Sequence, residues 1–237
     1  MLKKIILGIM FLNFSLFGSA INFNSTLPNI KIGNLDSKIK ESKKYSDLIK
    51  ALESAPTGEF SFYLGIIYLN GINKPDSEGK TIKKDIEKAK FFFNKAIQLG
   101  YYNAAQILGA LYLYHKDFMK EPNNIEKAEY YLNLAIKNGL YDGTTSLAEI
   151  YINYKNNYKK GLEYLELGSV HNIPTSQLML AMLYNWGYKN PTTGFQIKKD
   201  PYTAQMLLTK ACTNKNITKK VKEFCSSKYV KINKKEE

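Results

Sequence analysis

Four times along this chain an Asp or Asn stands four residues ahead of a small residue, and a second small residue follows seven later. The sets are Asp85/Ala89/Ala96, Asn124/Ala128/Ala135, Asn157/Gly161/Gly168 and Asp200/Ala204/Ala211. Such an internal repeat constrains the fold strongly, because each copy has to form the same supersecondary unit. Asp and Asn cap helix N-termini by accepting from the orphan N–H groups of the first turn. Pro201 suits the first helical position, where its missing N–H costs nothing. Small residues seven apart lie two turns apart on one helix face, which lets another helix approach closely. Each set therefore predicts the start and the packing seam of one helix, the B helix of a unit.

A second pattern precedes each B helix. Leu64-Gly65 with Tyr68, Leu108-Gly109 with Tyr112, Leu147-Ala148 with Tyr151 and Leu180-Ala181 with Tyr184 share Leu-small-x-x-Tyr. Apolar residues at helical spacing surround the pattern, marking an A helix. The intervals between copies vary while their cores hold, so the length changes fall in loops. Two short antiparallel helices cannot bury their apolar stripes alone, and stacked neighbours have to complete the burial. The expected fold is all-α: an α/α solenoid of about four helix pairs with N- and C-terminal capping helices, forming one elongated domain. Phe92 and Phe93, Tyr131 and Leu132, Tyr164 and Leu165, and Leu207 and Leu208 occupy corresponding B-helix positions. Aromatic residues at that spacing read as core packing and identify no ligand.

The two patterns together resemble the Sel1-like repeat, a relative of the tetratricopeptide repeat. The shared features are Leu-Gly-x-x-Tyr, a loop ending in Lys-Lys-Asp, and a helix carrying Ala, two bulky residues and Ala. They are clearest in residues 108–139 and in IKKDIEKAKFFFNKAIQLG, and the resemblance covers residues 58–216. The third copy departs from it, with Gly161 and Gly168 in place of both Ala residues and Asn157 in place of the capping Asp. The resemblance implies a scaffold that binds a protein or peptide, and implies no reaction.

Lys3 and Lys4 precede an apolar run, Ile5 to Phe17, that ends in Gly18-Ser19-Ala20. A basic start, a short apolar stretch and small residues at a cleavage point describe a secretory signal peptide. The run is shorter than the roughly 20 apolar residues that span a bilayer. Cleavage after Ala20 and export to a bacterial periplasm or beyond are expected, with an uncleaved anchor as the alternative. Export gives meaning to the two cysteines, Cys212 and Cys225. In an oxidising compartment such a pair usually bridges; the alternative is two buried free thiols. The cysteine-rich Sel1-like secreted proteins of Helicobacter and relatives are similar in placing a Cys directly after the second Ala, where Cys212 stands. That resemblance implies a bridge that clips the capping helix to the last repeat.

The net charge is +13, and all 34 basic residues are lysines. Without Arg the chain lacks the bidentate fork that recognises phosphate and base edges, so nucleic acid is not an expected partner. The lysine excess permits a weak attraction to anionic envelope components. Ser37-x-x-Lys40 and Ser77-x-x-Lys80 match the Ser-x-x-Lys of penicillin-recognising enzymes, but neither Ser-Asp-Asn nor Lys-Thr-Gly accompanies them. Gly79-Lys80-Thr81 lacks the first Gly of a phosphate loop, since Lys74 stands there. His115 and His171 have no carboxylate or Cys at metal-ligand spacing. No catalytic residue, cofactor or metal is expected.

The domain plan that follows is a signal peptide (1–20), a flexible leader (21–35), an N-terminal capping helix (36–57), the repeats (58–216), and a C-terminal capping helix with a basic tail (217–237). Loop insertions at 72–84 and 188–199 are expected on one rim of the solenoid, either as part of a binding face or as tolerated surface loops. Tyr112, Tyr114, Asn153, Asn185 and Trp186 are expected to be exposed on the A helices as contacts for a protein or peptide partner. The function expected is an exported, non-enzymatic scaffold for protein–protein interaction that is not an integral membrane protein. The alternative is a penicillin-binding or β-lactamase-type envelope enzyme, a label carried by some cysteine-rich Sel1-like proteins.

Overall fold

The computed structural model describes residues 42–54, 57–190, 193–215, 217 and 219–226. The signal peptide, the leader, the first part of the N-terminal cap and the basic tail lie outside the described residues. What is described groups into two compact units, residues 42–140 and 141–226, each containing two helix pairs.

In the first unit α1 (Tyr45–Ser54) precedes the first pair, α2 (Gly58–Asn70) and α3 (Ile86–Gln98). The second pair is α4 (Asn103–Tyr114) and α5 (Asn124–Lys137). Each helix packs on the next in sequence, as short connections between antiparallel neighbours require. α1 buries Tyr45, Leu48 and Leu52, a spacing that keeps one face on α2. It is tied down by the insertion 72–84: Tyr45 N donates to Asp76 Oδ2 at 2.9 Å, and Tyr45 Oη donates to the Lys74 carbonyl at 2.8 Å. Ser77 N donates to the Lys43 carbonyl at 2.9 Å. This insertion is therefore a clamp on the N-terminal segment. Its own ends are joined by an antiparallel bridge between Ile72 and Ile82.

In the second unit the first pair is α6 (Thr144–Glu149), which runs on through a π-helical turn at Ile150–Tyr154, and α7 (Tyr158–Val170). The second pair is α8 (Pro174–Trp186) and α9 (Pro201–Thr213), and α10 (Lys219–Cys225) follows. The insertion 188–199 forms a small antiparallel hairpin, β1 (Tyr188–Lys189) paired with β2 (Gln196–Ile197). Tyr188 stacks on Tyr158 at the start of α7, with ring centroids 5.3 Å apart. A disulfide joins Cys212 to Cys225 across a Cα–Cα distance of 5.7 Å. α10 thereby closes a cluster of Leu178, Ala181, Leu208, Ala211 and Val221.

Three of the four expected caps form. Asp85, Asn157 and Asp200 accept from the backbone N–H groups of Lys88, Lys160 and Thr203 respectively. The second copy corrects the sequence reading, because Asn124 is the first helical residue and not the cap. Asn123 precedes it in the left-handed region (φ 57°) and makes no side-chain cap bond. The Asn124 side chain instead donates to the Tyr112 carbonyl at 3.2 Å, holding the A helix to the B helix.

The seams explain the small residues. A Cβ on Gly65 would lie 2.6 Å from the Phe93 ring, and one on Gly109 would lie 2.6 Å from Leu132 Cγ. The bulky residue eight positions after Asp85 or Asn124 thus fills the space over the small residue of the A helix. In the third copy the relation is reversed. A Cβ on Gly161 would meet Ile152 Cγ1 at 2.4 Å, and one on Gly168 would meet Ser176 Oγ at 2.2 Å and Thr144 Oγ1 at 2.3 Å. The two Ala-to-Gly departures are therefore required by what α6, its π-turn and α8 press against α7.

Candidate partner-binding surface

The motif tyrosine of each A helix is positioned by its junction with the B helix. The cap residue's N–H donates to that tyrosine's carbonyl in three copies: Asp85 to Tyr68 at 2.8 Å, Asn157 to Tyr151 at 2.7 Å and Asp200 to Tyr184 at 2.7 Å. In the second copy the Asn124 side chain makes the equivalent bond to Tyr112. Tyrosine and B helix therefore hold nearly fixed relative positions in all four repeats.

Two B-helix side chains then enclose the ring. The residue seven after Asp85, Asn124 or Asn157 stacks on one face: Phe92 on Tyr68 (5.6 Å between centroids), Tyr131 on Tyr112 (5.8 Å) and Tyr164 on Tyr151 (5.4 Å). The lysine three after the same Asp or Asn lies over the same ring. Lys88 Nζ is 4.9 Å from the Tyr68 centroid, Lys127 Nζ 5.3 Å from Tyr112 and Lys160 Nζ 4.3 Å from Tyr151. Such contacts contribute about 0.5–2 kcal/mol each, depending on desolvation. Sequence reasoning missed this lysine, although the recurrence of Lys88, Lys127 and Lys160 at one offset could have revealed it.

That arrangement overturns one of the expected surface residues. Tyr112 is only 6% exposed, since Tyr131, Phe118 and Lys127 surround its ring. Burial pushes the Tyr112 hydroxyl well above the usual tyrosine range, with Glu121 adding to it. Tyr112 is a packing residue, and no partner reaches it without opening the repeat.

The exposed position is two residues further on, at the C-terminal end of each A helix. In the first unit it holds Asn70, which is exposed, and Tyr114, which is half-buried; in the second unit it holds Asn153 and Trp186, both exposed. Asn185 is half-buried beside Trp186. Asn70 was overlooked by the sequence reading, yet its offset from Tyr68 equals that of Tyr114 from Tyr112.

Glu121, in the loop 115–123, joins a charge cluster with residues of α3 and α5. Glu121 is ion-paired with Lys90 and, at 2.9 Å, with Lys127; Lys90 also bonds Glu87 at 2.7 Å. Burial alone would push the Glu121 carboxyl up, but the two lysines outweigh it and hold the carboxyl below its ordinary value. His115 lies at the end of α4 with its ring edge against Phe118. Burial, assisted by Lys84, lowers its pKa against the opposing pull of Asp117. His171 ends α7, its ring stacked on Tyr141. The hydroxyl of Ser77 donates to the Lys43 carbonyl, and Lys80 Nζ pairs with Glu78 at 2.8 Å. Ser37 and Lys40 lie outside the described residues. Among the described residues no group of three or more His, Cys, Asp or Glu side chains is placed to hold a metal ion. No helix among them is long and apolar enough to cross a membrane.

Comparison with known proteins agrees with this geometry. The Sel1 repeat family matches residues 59–101, 103–140 and 174–216, together just over half of the sequence. The chain belongs to the Sel1 repeat family. The stretch left unmatched contains α6, its π-turn and α7, the copy in which both seam alanines are glycines. A similar solved structure is c5321, a protective antigen present in uropathogenic Escherichia coli strains, which displays an SLR fold. It is 18% identical over 72% of this chain, with a TM-score of 0.54, and this chain spans only 33% of its length. No curated protein matches the chain. The Sel1 assignment and that neighbour establish an all-α repeat solenoid, a fold typical of protein-interaction modules.

Proposed function

We propose that this Sel1 repeat protein is an exported, non-enzymatic scaffold that holds a protein or peptide partner in the bacterial envelope. The observation that carries the reading is the division of labour at the A-helix ends. In the first three repeats the motif tyrosines are spent on stacking, while the position two residues later presents Asn70, Asn153 and Trp186 outward and leaves Tyr114 half-buried. A recurrent outward position on a rigid repeat is what a binding surface needs, since side chains fixed by the scaffold lose little freedom on binding. The contacts we propose are Asn70 and Tyr114 on the first unit and Asn153, Asn185 and Trp186 on the second, each set taken by itself.

Export rests on the basic start, apolar run and Gly18-Ser19-Ala20, with cleavage after Ala20. The Cys212–Cys225 disulfide supports an oxidising compartment. The engagement of Ser77 with Lys43 and of Lys80 with Glu78 supports a non-enzymatic role. N-terminal sequencing of the protein from its envelope fraction is expected to begin at Ile21. A photo-crosslinker at Asn70 or Tyr114 is expected to trap a partner, whereas one at Tyr130, on the outer face of α5, is not. Equal trapping from Tyr130 would move the surface to the B helices. Nitrocefin hydrolysis by the purified protein would replace the scaffold reading with the envelope-enzyme one.

A further inference from the structure

The fourth repeat breaks the lysine rule that the other three obey. Its cap bond from Asp200 N to the Tyr184 carbonyl is intact at 2.7 Å, so α9 meets Tyr184 as the other B helices meet their tyrosines. Three residues after Asp200, however, stands Thr203 where Lys88, Lys127 and Lys160 stand elsewhere. The Thr203 hydroxyl donates to Asp200 Oδ2 at 2.6 Å, which keeps this short side chain at the helix cap. Seven residues after the cap, Leu207 replaces the stacking aromatic. Among the described residues no cation lies over Tyr184 and no ring stacks on it, although it is only half-buried.

The local charge fits a cation from outside. Glu166 and Asp200 lie close enough to act, after burial, in raising the Tyr184 hydroxyl above its usual range. α9 offers apolar area for the methylenes of a long side chain at the residues directly before Thr203 and Leu207: Tyr202 is 81% exposed and Met206 54%. Tyr202 and Met206 are four apart on α9 and so share one face.

We propose that Tyr184 takes a lysine side chain of a bound protein segment, the partner supplying the cation that Lys88, Lys127 and Lys160 supply in the other repeats. This rests on the scaffold reading and specifies its partner: a segment with an exposed lysine, its ammonium over the Tyr184 ring and its stem along Tyr202 and Met206. Ring quadrupole and nearby carboxylates act together on the ammonium, and both attractions require its positive charge.

The test uses the disulfide-intact protein and a blocked peptide, acetyl-Gly-Gly-Lys-Gly-Gly-amide, with its Nε-acetyl-lysine counterpart as control. Titration is followed by the NMR resonances of Tyr184, Trp186 and Thr203. Saturable shifts are expected with the lysine peptide, and an affinity about fivefold or more lower with the acetylated one. Thr203→Lys restores the internal cation and is expected to abolish the shifts, while Thr203→Val, which also loses the bond to Asp200, is expected to keep them. Equal responses to the two peptides, or undiminished binding by the Thr203→Lys protein, overturns the proposal. Crosslinked capture from the envelope fraction separates it from the broader reading. A partner retained equally by wild type and Thr203→Lys leaves the scaffold standing and removes the lysine subsite. No partner with either protein sinks the scaffold, and the lysine proposal with it.

Discussion

Replacing Gly168 by Ala sets helix propensity against packing, with opposite signs expected. Gly168 lies in the last part of α7, where Ala is the better helix former by about 1 kcal/mol. Ala also stands at the corresponding position of the other three B helices. Yet a Cβ there would lie 2.2 Å from Ser176 Oγ, 2.3 Å from Thr144 Oγ1 and 2.7 Å from Ser176 Cβ. Both neighbours are fully buried and tied to one another and beyond. Thr144 Oγ1 donates to the Tyr141 carbonyl at 2.8 Å, and Ser176 Oγ lies 2.9 Å from Thr145 Oγ1. Neither can turn away without breaking a buried hydrogen bond. Overpacking costs about 1–3 kcal/mol, and a buried hydroxyl left without a partner costs about 1–3 kcal/mol more. Set against the propensity gain, the expected net loss is about 3 kcal/mol. Urea unfolding followed by far-UV circular dichroism measures it. Ser176→Ala removes the nearest oxygen, so the double variant is expected to recover part of the loss, with a coupling of about 1 kcal/mol or more. A Gly168→Ala protein more stable than wild type, or a double-mutant cycle without coupling, would refute the packing argument.

Three further outcomes are expected. Replacing Cys212 and Cys225 by Ser removes a cross-link that stabilises by about 3 kcal/mol in the chain-entropy view; amide exchange should quicken in α10 and the end of α9 while α2–α5 keep their protection. The Glu121 carboxyl, held low by Lys90 and Lys127 against burial, contributes stability present above its unfolded-state pKa and lost as pH falls through its folded-state value. Melting temperatures followed from about pH 7 to about pH 3 should therefore drop less steeply for Glu121→Gln than for wild type, from a lower start; parallel curves would contradict this. Asp76→Ala removes the acceptor of Tyr45 N and of the Glu78 and Lys80 N–H groups, so α1 should exchange faster with little change in α4 and α5.

The repeat was legible because its signals are local. A capping oxygen reaches an N–H three residues ahead on the same chain, so Asp85, Asn157 and Asp200 could be read directly, and small residues seven apart necessarily share a face. The failure at Asn124 is of the same kind: two adjacent asparagines compete for the start of α5, and the backbone places Asn123 in the left-handed region. The proposed binding surface was less legible. Tyr114, Asn153, Asn185 and Trp186 are half-buried or exposed, but Tyr112 is enclosed by Tyr131 and Lys127, and Asn70 went unnoticed.

Sequence alone determined the number of helix pairs, their order and which face of each B helix is the seam, since these depend on hydrogen bonds and periodicities a few residues long. Tertiary structure decided which side chains are spent on packing. Whether a tyrosine is covered, whether a glycine is obligatory at 161 and 168, and whether a ring such as Tyr184 lacks its lysine all depend on distances between different helices. Those distances are set by the mutual fit of side chains across the seam, which no single stretch of sequence contains.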